Sequence, residues 1–194
     1  FRTAENVEVL AYVDDDDPAD YSNIEGVRII TGPRVTLSDC WNRLAAEADG
    51  TILGMGSDDI RYRTPGWDTS VRAVINSFTD RIVFVYTEDG IHNERLGTHG
   101  FVSREWVEAA GMFTWPGFAM DYADTWLNDI ARRIHRAVFI PGVMVEHLHP
   151  IVGKAEWDQT HKERLARGGG MGDLWNRLEP ERVRIAGKLK EVMV

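Results

Sequence analysis

Two apolar segments of this chain end abruptly on carboxylates, and that pattern restricts its fold more than any other feature. Val7-Glu8-Val9-Leu10-Ala11-Tyr12-Val13 is a β-favouring run that stops at Asp14-Asp15-Asp16-Asp17-Pro18. Thr51-Ile52-Leu53-Gly54-Met55-Gly56 runs into Ser57-Asp58-Asp59 in the same way. Clustered Asp and Pro do not continue a buried strand, so a polar loop begins at each break.

Between and after these strands the periodicity changes. Thr36 is placed to cap a helix with Asp39 three residues on, and Leu37, Trp41, Leu44, Ala45 and Ala48 recur at helical spacing up to Asp49-Gly50. Val27 to Thr31 and Ile82-Val83-Phe84-Val85-Tyr86 read as further strands. Residues 68–78, a short stretch from Ser103 to Gly111, and 121–135 read as helices. Val138-Phe139-Ile140 and Val143-Met144-Val145 read as two strands flanking Pro141-Gly142. Strands alternating with helices predict an α/β domain with a Rossmann-like, mostly parallel central sheet flanked by helices. Such sheets collect ligands at the carboxyl ends of their strands, which is where the acidic breaks lie. The expected division is a body over residues 1–155 and a helical tail or lid over 156–194, hinged at Gly168 to Gly172.

Composition narrows the function. The chain has 194 residues, 22 Lys and Arg against 31 Asp and Glu, and a formal charge of −9, which disfavours a diffuse nucleic-acid binder. The acidity is uneven: from His161 to Val194 eight basic residues face five acidic ones, so a mildly basic tail follows an acidic body. Cys40 is the only cysteine; it excludes an internal disulfide and a Cys-rich zinc site and suits a reducing compartment. No apolar run approaches a membrane span and no segment reads as a signal peptide, so a cytoplasmic protein is expected. The chain opens on Phe1-Arg2 rather than Met, from which a start inside a longer gene product is expected.

Four clusters carry candidate chemistry, each with a plainer alternative. Asp14 to Asp17 can hold a cation or accept hydrogen bonds from a base or ribose, or be a solvated turn. Asp58 and Asp59 repel each other unless a cation sits beside them, and hard oxygen ligands suit Mg2+ or Mn2+ carrying a phosphate; Ser-Asp-Asp is also a good turn opener. In Glu146-His147-Leu148-His149, two histidines on one side of a strand can ligate a metal, or one can be a hydrogen-bonded, partly buried residue. No third Cys or His lies nearby, which argues against structural zinc and leaves one imidazole to join Asp59 on a shared cation. Asp121 and Asp124, three apart at a helix start, can serve as a general base or simply favour the helix dipole. Among the seven tryptophans, Trp41 and Trp126 fall on apolar helix faces, whereas Trp67 and Trp115 adjoin Pro and Gly, where a ring can stack on a sugar or base. A phosphate-binding Gly-x-x-x-x-Gly-Lys-Ser/Thr loop is absent.

In order along the chain, Val13-Asp14-Asp15, Trp41-Asn42-Arg43, Ser57-Asp58-Asp59, Gly111-Met112-Phe113, Asp121-Tyr122-Ala123-Asp124-Thr125-Trp126 and Val145-Glu146-His147 resemble a glycosyltransferase of the family 2 type. The resemblance covers about residues 7 to 150. It implies a GT-A fold, a nucleotide-sugar donor, a hydroxyl acceptor and a divalent metal, Mn2+ or Mg2+. By position, Asp14 or Asp15 would hold the donor's base or ribose, and Asp59, with Asp58 behind it, the metal. His147, with His149 as the alternative, would complete the metal shell. Asp124, or Asp121 in its place, would deprotonate the acceptor. The sequence departs from the pattern in its Ser-Asp-Asp motif and in lacking the strand and helix that normally precede the first aspartate strand. Compact relatives of this type occur in phages and bacteria, where acceptors are glycans or hydroxymethylated bases in DNA. For the latter, Arg164, Arg167, Arg182 and Arg184 could provide a basic surface. A nucleotidyltransferase on a similar sheet, and a non-catalytic sugar- or nucleotide-binding domain, are the rival readings.

Overall fold

The computed structural model describes residues 4, 6–157, 162 and 170–194. Strands β1 (Leu10–Asp14) and β2 (Arg28–Gly32) form a parallel pair, followed by helix α1 (Leu37–Glu47). Thr36 caps α1 as expected: its hydroxyl accepts from the Asp39 N–H at 3.2 Å and donates to the Asp39 carboxylate at 2.6 Å. A five-stranded sheet is built from β3 (Ile52–Gly54), β4 (Ile60–Tyr62), β5 (Phe84–Glu88), β6 (Phe101–Ser103) and β7 (Ala137–His147), in the order β3-β6-β5-β7-β4. The helices are α2 (Trp67–Asn76), α3 (Arg104–Ala110), α4 (Ala123–Arg133), α5 (Gly170–Arg177) and α6 (Glu179–Val192).

The α/β class is as expected, but the sheet is mixed rather than mostly parallel. Only β1–β2 and β5–β7 pair in parallel; β3–β6, β5–β6 and β4–β7 are antiparallel. The reason lies in the connections. A parallel pair needs a long crossover, and α3 and α4 supply one between β5 and β7. No α-helix separates β5 from β6, so the chain turns back and pairs antiparallel. Strands β4 and β6 are three residues each, too short to show an alternating pattern. The two strands expected around Pro141-Gly142 are one strand. Its register against β5 shifts between Thr87↔Ile140 and Glu88↔Met144, so the dipeptide is absorbed as a bulge. Gly142 takes φ 77° there and donates its N–H to Glu88.

Both faces of β5 are covered, which explains its unbroken apolar run. Phe84 and Tyr86 join the larger core with Trp41, Met55, Trp106 and Trp126. Val83 and Val85 point the other way, into a second cluster with Trp67, Val71, Ile75 and Val143. Trp41 and Trp126 are therefore core, as expected. Trp67 is core too, contrary to the loop-stacking expectation: it opens α2, is 4% exposed and stacks on Tyr62 at 4.1 Å between centroids.

Helix α6 packs on α3 and α4. Arg182 is buried in its first turn, donating to Asp129 at 3.0 Å, to Glu179 and the Trp175 carbonyl at 2.6 Å each, with its guanidinium 3.6 Å above the Trp175 ring. It is thus an internal cation and not part of a basic surface. Arg184 pairs with Glu181, and Arg164 and Arg167 lie outside the described residues. Of the expected hinge, residues 168 and 169 also lie outside them, and Gly170 to Gly172 open α5. Removing a buried, multiply paired guanidinium strands its partners. Arg182→Ala is expected to lower stability by about 3 kcal/mol, read as a lower denaturant midpoint in chemical unfolding.

Candidate functional site

The parallel β5–β7 pair releases both chains at the same edge, and the loop after β3 comes to meet them. Trp41 on α1 donates its indole N–H to the Gly56 carbonyl at 3.0 Å, and Met55 N–H reaches Gly100 at 2.9 Å. These bonds fix the entry to Ser57-Asp58-Asp59. The Asp59 carbonyl accepts from Leu148 N–H at 2.7 Å, and the Asp89 carbonyl from His147 N–H at 2.9 Å. Backbone pairing therefore brings the loops that follow β3, β5 and β7 together.

Side chains converge at that point. Asp59 Oδ2 lies 2.9 Å from His147 Nε2. The Ser57 hydroxyl donates to Asp59 Oδ1 and lies 3.1 Å from His99 Nε2. Asp59, His99 and His147 each offer one donor atom, all within 4.8 Å of one another. Burial alone would raise the Asp59 carboxyl, but hydrogen bonds from His147 and Ser57 and the charge of the histidines outweigh it and hold it well below the usual carboxylate range. Burial, then repulsion from His147, pushes the His99 imidazole down to about 4, so it is neutral at neutral pH.

This donor set fits a divalent cation. The 2.9 Å separation is that of two ligands at right angles, each about 2.1 Å from one ion. His147 Nδ1 is buried with no hydrogen-bond partner among the described residues. Asp59 and His147 are thus near enough to meet one ion. Asp58 is exposed beside them and is not in the cluster. His149 lies beyond the end of β7, where alternation no longer applies; its Nδ1 accepts from Ile151 N–H at 3.1 Å and caps a 3-10 turn.

His99, Thr98 and Asp89 were not singled out by sequence reasoning, which sought a third histidine close in sequence to His147. The available signal was the Gly97-Thr98-His99-Gly100 segment. A Cβ on Gly97 or Gly100 would run into Tyr86 or Phe84, so both glycines let the backbone lie flat on β5. Asn128, buried on α4, accepts from Gly97 N–H at 3.0 Å and donates to the Gly97 and Asp124 carbonyls at 2.9 Å each. The same amide thus holds the His99 loop and the first turn of α4.

Asp124 sits in that turn, and burial raises its carboxyl, opposed by the N–H and hydroxyl of Thr125 and by the His92 charge. Asp121 precedes it in the loop, separated by Tyr122, which takes φ 71° and stacks on Trp175 of α5 at 5.3 Å. Asp14 and Asp15 line an open cavity of about 300 Å³ with Val13, Tyr21, Ile29 and Thr31. Asp14 is half-buried and paired with Arg34 at 3.3 Å. The Tyr21 hydroxyl is raised by its hydrogen bond to Asp17, by burial, and in smaller part by the charge of Asp58.

A comparison with protein-family models and with curated proteins finds no match. Among solved structures, the fold is similar to that of the mannosyltransferase PcManGT from Pyrobaculum calidifontis, in complex with GDP-Man and Mn2+. The TM-score is 0.51 and the identity 10%, over 86% of this chain and 68% of that one. At that identity the likeness is one of fold. No helix among the described residues is long and apolar enough to cross a membrane.

The buried neutral imidazole makes the metal-free protein acid-sensitive. Between about 6.5 and about 4 the unfolded chain binds a proton at His99 that the folded chain does not, so stability falls as pH falls through that window. The expected loss is about 3 kcal/mol in urea unfolding between pH 7 and pH 4, and His99→Gln should remove most of it.

Proposed function

We propose that this protein is a metal-dependent, inverting glycosyltransferase of the family 2 type, moving a sugar from a nucleotide-sugar donor to a hydroxyl acceptor. The observation that carries this reading is the meeting of Asp59 and His147 from two separate strand ends. The similarity in fold to a mannosyltransferase solved with GDP-Man and Mn2+ supports it. In this reading residues 1–155 form the GT-A-like catalytic body and 156–194 a helical tail.

Asp59 and His147 hold the cation, with Asp58 behind Asp59, and Asp14 or Asp15 binds the donor's base or ribose. A bound divalent cation, Mn2+ or Mg2+, supplies positive charge against the diphosphate as it leaves. Asp124 takes the proton of the acceptor hydroxyl; a carboxyl whose proton affinity is raised by burial is suited to that task. Attack from the face opposite the diphosphate inverts the anomeric centre. With Arg182 internal and the body of the chain acidic, a glycan-type hydroxyl is favoured over a hydroxymethylated base in DNA as acceptor.

The test is release of nucleoside diphosphate from a panel of sugar nucleotides with Mn2+, with and without acceptors. Turnover that needs the metal and is lost in Asp59→Asn is expected; no release from any donor would leave a binding domain instead, and pyrophosphate release from a nucleoside triphosphate would indicate a nucleotidyltransferase. Asp124→Asn is expected to lower kcat by on the order of 10² to 10⁴ while donor Kd stays within a few-fold. An Asp124→Asn protein of normal activity would transfer the base role to Asp121.

A further inference from the structure

Asp89 is 3% exposed, and its carboxylate is filled by donors. Oδ1 accepts from the backbone N–H groups of Ile91, His92 and Asn93 at 2.7–2.8 Å, and Oδ2 from the Thr98 hydroxyl at 2.9 Å. A carboxylate so placed is ionised and can only accept. The single proton of the Thr98 hydroxyl is therefore committed to Asp89, and the oxygen turns a lone pair to its other neighbour, His99 Nδ1, at 3.2 Å. Two lone pairs do not face each other at that distance, so Nδ1 carries the proton. At the other nitrogen, Nε2, the Ser57 hydroxyl, whose proton goes to Asp59, also turns a lone pair to the ring, so a cation there takes the place of a second proton. Nε2 is the atom that faces Ser57, Asp59 and His147.

We infer that His99 is the third protein ligand of the cation, binding through Nε2, and that Asp89 acts through Thr98 as a positioning pair that holds the ring in the ligating tautomer. This rests on the reading of Asp59 and His147 as metal ligands. A hydrogen-bonded carboxylate behind a ligating histidine fixes ring orientation and strengthens the nitrogen as a donor; here a threonine hydroxyl is interposed. Two imidazoles with one carboxylate also suit a transition-metal ion better than Mg2+, which prefers an all-oxygen shell. The site therefore selects Mn2+ over Mg2+. Thr98 and His99 have no freedom to relax, because Asn128 grips the preceding Gly97 and the flanking glycines lie against β5.

The experiment measures binding of Mn2+ alone to the full chain by titration calorimetry and by loss of the free-ion electron paramagnetic resonance signal. It is paired with ¹⁵N NMR of the histidine rings in protein saturated with Mg2+, which is diamagnetic. His99 is expected as the Nδ1–H tautomer, and His99→Gln is expected to weaken Mn2+ by on the order of 10- to 100-fold, more than it weakens Mg2+. Thr98→Val should weaken Mn2+ and shift the His99 ring signals, and Thr98→Ser, which keeps the hydroxyl, should restore both. An Nε2–H tautomer in the wild-type protein, or a folded His99→Gln chain that binds Mn2+ as well as wild type, would overturn the inference while leaving Asp59 and His147 as ligands. A wild-type chain that binds no Mn2+ would remove the whole centre. Tight Mn2+ binding that needs His99, in a protein that turns over no sugar nucleotide, would uphold the inference and refute the proposed reaction instead.

Discussion

The parallel pairing of β5 with β7 is the constraint on which the rest of this molecule depends. Parallel neighbours deliver their chains to the same edge, and every group of the candidate centre is placed relative to that edge. Asp89 follows β5 directly, His147 ends β7, and each is tied to the other by a backbone hydrogen bond. The pairing in turn requires a long crossover, and its helices α3 and α4 build the larger core and carry Asp124. The antiparallel strands serve as trim: β6 returns the Thr98-His99 segment to the same edge, and β3 and β4 bracket Ser57 to Asp59.

Buried polar side chains do the joining where backbone pairing ends. Asn42 on α1 accepts from Phe113 and Thr114 N–H and donates to Thr114 O, so the segment before Asp121 is fixed to α1. Asn128 does the same for the segment before His99. An amide offers both donor and acceptor, so one side chain satisfies a peptide group that would otherwise be buried unpaired. The Tyr122–Trp175–Arg182 stack extends this scheme to the C-terminal helices, which thereby contact the loop carrying Asp121.

Electrostatics at the centre follow from partial burial. Asp59 stays ionised because hydrogen bonds offset its desolvation, whereas His99 stays neutral and Asp124 is raised because for them desolvation prevails. The balance of burial against donors thus moves Asp59 and His99 downward and Asp124 upward.

Local patterns determined much of this without coordinates. The breaks at Asp14 and Ser57, the Thr36 cap, the β5 run and the α4 stripe are all effects of neighbours along the chain, and each element stands within about two residues of where the sequence indicates. The acidic character of the cavity edge and the candidacy of Asp59, His147 and Asp124 were legible for the same reason. Strand direction was not: short strands carry no orientation signal, and the length of the connection decides it. Nor was the merging of two apolar runs across Pro141-Gly142, since a bulge depends on the partner strand. The grouping of Asp59 rather than Asp58 with His147, the capping by His149 and the arrival of His99 beside them, backed by Thr98 and Asp89, are likewise tertiary. They depend on which loops meet at one sheet edge, and a distance between loops is a property of the fold that no local spacing encodes.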